Sequence, residues 1–276
     1  MRKALVVLSG GQDSVTCLFW AKSYFEEVHA ISFDYGQRHK LELEAAHLTA
    51  DLAEVASHEI VRLPEGILHS TSPLVSDNEL EKYSSFSEMD LIIGDRVEKT
   101  FVPMRNTLFL TIAANRAVEL GCDAIVTGVC GEDNANYPDC RADFIAALDI
   151  AIEKSLGKKI PITAPLITKS KAATVKLALM TPGAYHALAY SHTSYDGKFP
   201  PTDNNHSNVL RAEGFLQAGV PDPLVLRAVS LGLMQLPDTA NYSSLAIQRI
   251  LSQSGSLYEE FSAIMEYRAK QEVSPQ

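Results

Sequence analysis

The sequence predicts an α/β protein, a doubly wound parallel sheet with a helical C-terminal part. Short apolar runs alternate with stretches of helical periodicity through the first half of the chain, the pattern of successive β-α-β units. The first run, Ala4-Leu5-Val6-Val7-Leu8, leads directly into Ser9-Gly10-Gly11-Gln12-Asp13-Ser14 and then into a helical pattern. A buried strand that feeds glycines and a helix N-terminus makes an anion site, because glycine lets backbone N–H groups approach a phosphate closely. Polar residues also stand at three strand ends, at Ser9, Asp34 and Thr127. Ligands of such sheets bind at the carboxyl ends of the strands.

Strands are expected at 3–9, 28–33, 57–62 and 123–128, with helices at 13–24, 37–54 and 105–120. Leu41, Ala45, Leu48 and Leu52 share one face of the second helix. Residues 64–100 read as a long polar excursion with Pro64 and Pro73, the signature of a lid or an insertion. A helix over 139–156 carries Ile145, Leu148 and Ile152, and 160–166 reads as a short edge strand held between Pro161 and Pro165. Residues 170–180 form a further helix and 181–207 an irregular stretch. Helix 207–218 stops at Gly219, a favourable C-terminal cap.

Helices over about 222–234 and 243–270, broken by Pro237, complete the chain. The division expected is a nucleotide-binding unit over 1–226 and a helical extension over 227–276. In the extension Leu245, Ile250, Leu251, Leu257, Phe261, Ile264 and Met265 are apolar, and several recur at helical spacing. That face is buried either on its own domain or in a partner surface. A homodimer is expected.

Composition excludes several classes. No stretch approaches the ~20 apolar residues of a membrane span, and the first apolar run is too short for a signal peptide. The cytoplasm is the expected compartment. A formal net charge of −10, from 24 basic and 34 acidic residues, opposes broad nucleic-acid binding. None of the four cysteines forms a C-x-x-C pair. Cys17 and Cys122 fall in core positions. Cys130 and Cys140 lie in a polar loop, where a buried thiol and a functional one are equally open readings.

Three further motifs carry chemistry. Asp34, in Phe33-Asp34-Tyr35-Gly36-Gln37-Arg38-His39, can hold a metal ion or a ribose hydroxyl, or merely cap a helix. Phe101-Val102-Pro103-Met104-Arg105-Asn106 places Arg105 at a helix N-terminus, where it doubles a positive site. Thr127-Gly128-Val129-Cys130 runs into Glu132-Asp133-Asn134 and then Tyr137-Pro138-Asp139-Cys140-Arg141, a compact recognition cluster. Asp133 or Asp139 can accept two hydrogen bonds from a guanine-type edge, with Tyr137 stacked on the ring.

The hexapeptide Ser9 to Ser14 resembles the pyrophosphate loop of the N-type ATP pyrophosphatases (the PP-loop superfamily, adenine nucleotide alpha hydrolase-like). Taken in order, SGGQDS, FDYGQRH, TFVPxRN, TGVC and YPDCR resemble the 7-cyano-7-deazaguanine (preQ0) synthase family of queuosine biosynthesis. A later segment, Leu210-Arg211-Ala212-Glu213-Gly214-Phe215 with Ala218-Gly219-Val220-Pro221-Asp222-Pro223, continues the match to about residue 226.

The resemblance implies an ATP-dependent carbon–nitrogen ligase. Its substrates would be 7-carboxy-7-deazaguanine, ATP and an amine. ATP adenylates the carboxylate and releases pyrophosphate; ammonia attacks the acyl adenylate, and a second adenylation of the amide drives dehydration to the nitrile. Ser9, Gly10, Gly11, Gln12, Asp13 and Ser14 would hold the nucleotide phosphates with Asp34 and Gly128, and Asp13 would stand near Mg²⁺. Lys171 matches a family lysine that would neutralise the α-phosphate. Phe101, Arg105, Asn106, Asp133, Tyr137, Asp139 and Arg141 would line the deazaguanine pocket, with Arg105 or Arg141 on the substrate carboxylate. Asp13, Lys171 and Arg105 are the residues expected to carry catalysis.

Three departures from the family pattern stand out. Its four zinc cysteines correspond here to about Ser194 and to Thr202, Asn205 and Asn208, so zinc is not expected. Met104 replaces a glycine, and Ala173 a glutamate two residues past Lys171. Three outcomes therefore remain: the nitrile, the amide alone, or transfer of the acyl group to a macromolecular amine such as a protein N-terminus. Synthase-like proteins of antiviral defence operons are associated with the last. A non-catalytic nucleotide sensor is the alternative outside enzymes.

Overall fold

A computed structural model describes residues 2–37, 40–131, 136–234 and 252. Five parallel strands form one sheet in the order β3-β2-β1-β4-β5. They are β1 (Lys3–Val7), β2 (Glu27–Asp34), β3 (Ser57–Arg62), β4 (Ala124–Val126) and β5 (Ile162–Thr163). The first four lie where the apolar runs predict them. β5 is cut to two residues because Pro161 and Pro165 flank it and lack ladder donors. The chain builds outward from β1 to β3, then returns to lay β4 on the other side of β1. This reversal opens a crevice beyond the carboxyl ends of β1 and β4.

The side-chain alternation of β1 decides which helices cover which face. Ala4, Val6 and Leu8 pack with α1 (Gln12–Tyr24), α2 (Leu41–Leu52), α6 (Lys171–Met180) and Phe215 of α8 (His206–Ala218). Leu5 and Ile31 face the opposite layer, formed by α4 (Arg105–Glu119) and α5 (Ala142–Leu156). Both faces are covered over the central strands, as a parallel sheet demands, while the edge strand β3 stays largely exposed. All four cysteines are buried thiols outside any disulfide.

The excursion over 64–100 contains a helix that its polarity conceals, α3 (Phe86–Ile93). Ser85 caps it by accepting from Glu88 N at 3.2 Å, while Glu88 reaches back to Ser84 N. Ser85-x-x-Glu88 is a capping-box signal. Tyr83, Met89 and Ile93 pack on Val209 and Leu210, so the excursion is fastened to α8. The stretch read as irregular also holds structure: α7 (Ala184–Ala187), a 3-10 turn at Leu188–Tyr190, and nearly complete burial of both. The last described helix, α9 (Pro223–Ser230), runs across the expected boundary after residue 226 and packs on Ala189 and Tyr190 through Leu226. The helix expected at 243–270 lies outside the described residues apart from Ser252.

Candidate active site

The loop after β1 is set by Ser14. Its hydroxyl accepts from Ser9 N at 3.2 Å, donates to Gly11 O at 3.0 Å and lies 3.0 Å from Ser9 Oγ. Gly10 turns with φ +83°, and a Cβ there would sit 2.3 Å from the carbonyl oxygen of Glu42. A Cβ at Gly128, after β4, would lie 2.8 Å from Ser14 N. Both glycines are therefore required by close backbone approach. The loop and the N-terminus of α1 remain open to one crevice at the switch point of the sheet, the arrangement that receives anions.

The same cavity is lined by Ser9, Gly11, Gln12, Asp13, Ser14, Gly128, Arg105, Asn106, Tyr137 and Lys171. Ten residues singled out from the sequence, drawn from five separate segments, thus meet at one place. Lys171 at the start of α6 donates to Asp13 Oδ2 at 2.7 Å. Tyr137 shares a 2.5 Å hydrogen bond with Thr100 and meets Phe101 edge-on, which fixes its ring. Phe33 and Phe109 stack at 4.2 Å on the apolar side. Arg105 faces Tyr35, Tyr195 and Asp139; burial works against its charge, but these groups hold the guanidinium protonated.

Other expected residues stand elsewhere. Asp139 is buried behind the cavity wall and accepts from Asn106 N at 3.3 Å. Burial raises its pKa, against the pull of Arg105. Its carboxylate thus holds Asn106 at the start of α4. Arg141 is exposed at the start of α5, and Phe101 lies behind Tyr137. Asp34 ends β2 and is paired with Lys40 at 3.1 Å. Gly10 shapes the loop from outside the cavity. Asp133 lies outside the described residues.

The structure adds a clamp that local pattern does not reveal. His192 N donates to Gly10 O at 2.8 Å, and Gln12 N donates to Thr193 Oγ1 at 3.1 Å. Thr193 in turn accepts from Arg211, whose guanidinium makes a bidentate pair with Asp222 at 2.6 and 2.9 Å. Glu42, Tyr35, Tyr195 and His206 also line the cavity. Glu42 looks in sequence like an ordinary acid in a first helical turn.

Three of the four positions expected to replace zinc cysteines converge. Ser194 Oγ accepts from Asn205 Nδ2 at 3.1 Å and Asn208 Nδ2 at 2.8 Å, and donates to Asp196 at 2.6 Å. Asn205 Oδ1 caps α8 by accepting from Asn208 N at 3.1 Å. All three are buried, whereas Thr202 is exposed. Amides and a hydroxyl already engaged with one another are a poor donor set for zinc.

Fold and loop together define a doubly wound α/β protein of the PP-loop ATP pyrophosphatase class. The model of the queuosine biosynthesis protein QueC family matches residues 3–219, and the chain belongs to that family. It is 46% identical over 229 residues to the 7-cyano-7-deazaguanine synthase of Gloeobacter violaceus, spanning 81% of this chain and 96% of that protein. The enzyme of the same name from Laribacter hongkongensis is 46% identical over 224 residues, 81% of this chain and 94% of its own. Among solved structures, a 4-thiouridine synthetase–RNA complex with bound ATP gives a TM-score of 0.43 at 19% identity, over 81% of this chain and 52% of that one. A predicted subunit of tRNA methyltransferase from Methanocaldococcus jannaschii gives 0.41 at 16% identity, over 64% and 75%. Among the described residues no helix is long and apolar enough to cross a membrane.

Proposed function

We propose that this protein is an ATP-dependent ligase that converts 7-carboxy-7-deazaguanine to 7-cyano-7-deazaguanine in the cytoplasm. The observation that carries the reading is one cavity with a phosphate loop on one wall and Arg105, Asn106 and Tyr137 on another, in a chain whose relatives bear the synthase name. A carboxylate is a poor electrophile until one oxygen becomes a good leaving group. ATP would supply that leaving group as AMP, with pyrophosphate released. The loop N–H groups and Lys171 would bind the phosphates, and Arg105 would bring the substrate carboxylate to the α-phosphorus. Alignment and charge stabilisation are the protein's contribution.

Mg²⁺ is held in such sites by one or two carboxylates together with substrate phosphates. Asp13, in the first turn of α1 on the cavity wall, fits that donor requirement, and the ion would neutralise phosphate charge. Asp139 would serve recognition of the deazaguanine through Asn106. The synthase unit would reach through α9, which crosses residue 226, with the following residues as an extension that packs on it or on a second copy in a homodimer.

Ammonia is the acceptor in this reading. Of the three departures that raised a different acceptor, Met104 and Ala173 do not line the cavity. Met104 points to solvent, 63% exposed. Mass spectrometry after incubation with ATP, 7-carboxy-7-deazaguanine and ammonia tests the reading. AMP, pyrophosphate and the nitrile are expected. ADP and phosphate would refute it, and an amide that accumulates without nitrile would restrict the protein to the first activation.

A further inference from the structure

The carboxylates around the cavity differ in one respect. Asp13 is paired with Lys171, Asp139 holds Asn106, and Asp34 is paired with Lys40. Glu42 lines the cavity, yet among the described residues its carboxyl takes part in no hydrogen bond or ion pair. Its place is also specific. The backbone of Glu42 abuts Gly10 of the phosphate loop, and its side chain feels the charge of Arg105 at the start of α4. It therefore borders the cavity shared by the phosphate loop and the arginine proposed to hold the substrate carboxylate, where an acyl adenylate would form.

We propose that Glu42 is the general base of the amine-transfer step, a role that rests on the synthase reading above. Ammonia attacks the acyl carbon, so a C–N bond forms and the C–O bond to AMP breaks. The nitrogen then carries one proton too many, and the Glu42 carboxylate takes it while AMP leaves with the bonding electron pair. No other co-reactant is needed.

The electrostatics suit this task. Burial raises the Glu42 carboxyl to about 7, against the opposing pull of Arg105. A base poised near the working pH transfers protons most effectively. Tyr35 also faces it, while Asp13, Lys171, His192 and His206 stand farther round the cavity.

The test separates the two half-reactions in the full-length protein. Glu42→Gln keeps shape and removes the base. Substrate-dependent ATP–pyrophosphate exchange should stay within a few-fold of the native rate, while amide formation from ammonia falls by about a hundred-fold or more. The rise of amide formation through pH 7 should flatten in the variant. Glu42→Ala should regain part of its rate with added formate, a small carboxylate that can enter the space. Parallel loss of exchange would place Glu42 in nucleotide or metal binding and overturn the inference. Unchanged amide formation would also overturn it. Absence of exchange in the native protein would remove the synthase reading and this inference together.

Discussion

Lys171 Nζ lies 2.7 Å from Asp13 Oδ2, joining the first turn of α6 to the first turn of α1 across 158 residues of sequence. Both side chains are largely shielded, at 10% and 20% exposure. Removing one partner weakens the charge compensation of a shielded group. Lys171→Met or Asp13→Asn should each cost about 2–3 kcal/mol, discounted from a fully buried pair, and lower ATP–pyrophosphate exchange by at least about a hundred-fold. The double variant should regain stability in urea unfolding without regaining exchange. If it is as unstable as the sum of the singles, the pair does not act as a unit.

Arg211 and Asp222 make a second pair, with both side chains 1% exposed. Arg211 also reaches Thr193, which receives the N–H of Gln12 in the phosphate loop. Lysine cannot reproduce the planar fork. Arg211→Lys should destabilise the fold by about 3 kcal/mol. Thr193→Val tests the loop connection more gently: a raised KM for ATP with little change in melting temperature is expected. An unaltered KM would mean that the clamp is structural only.

Met104 has φ +65° at the start of α4, a left-handed conformation that costs a non-glycine residue about 1–2 kcal/mol. Its side chain is exposed, so little packing offsets that strain. Met104→Gly should raise stability by about 0.5–1 kcal/mol, after subtraction of the extra chain entropy glycine loses on folding. Exchange activity should be unchanged, because Met104 does not line the cavity. A destabilised variant would show that the side chain makes a contact of value.

The knot of Ser194, Asn205 and Asn208 leads to an expectation about metal. Elemental analysis of tag-free protein should find no stoichiometric zinc, since the donors are neutral and already bonded. Restoring cysteine at 194, 202, 205 and 208 together should create tight zinc binding, read by metal content and by chelator-sensitive melting. One zinc per chain in the native protein would contradict the expectation.

Glu42 makes stability depend on pH in an unusual direction. Its folded carboxyl titrates near 7, above the ordinary 4.5. Between those values the folded state binds more protons than the unfolded one, so stability falls as pH rises from 4.5 to 7 and is level beyond. The native protein should therefore gain from Glu42→Gln at pH 8, by about 1–3 kcal/mol once contact with cavity solvent is allowed for. Thermal melts of both proteins at pH 5 and pH 8 check this. The difference should shrink at pH 5, and a constant difference would speak against the shifted carboxyl.

Local pattern determined much about this protein. The apolar runs placed β1 to β4, helical periodicity placed α1, α2, α4 and α5, and the strand–glycine–helix junction marked the phosphate loop. These features depend on neighbours a few residues away, which is why sequence alone carries them. Ser85 and Glu88 show the limit within that range. Their capping signal was present, but the polarity around it concealed α3. The aim of side chains was decided only by packing. Asp139 and Tyr137 lie two residues apart, yet Tyr137 lines the cavity while Asp139 turns behind it to hold Asn106. Glu42 became a cavity residue because α2 lies against Gly10, and Thr193 reached Gln12 because Arg211 and Asp222 hold its segment in place. Such contacts join residues far apart in sequence, and their geometry exists only once the helices have settled on the two faces of the sheet.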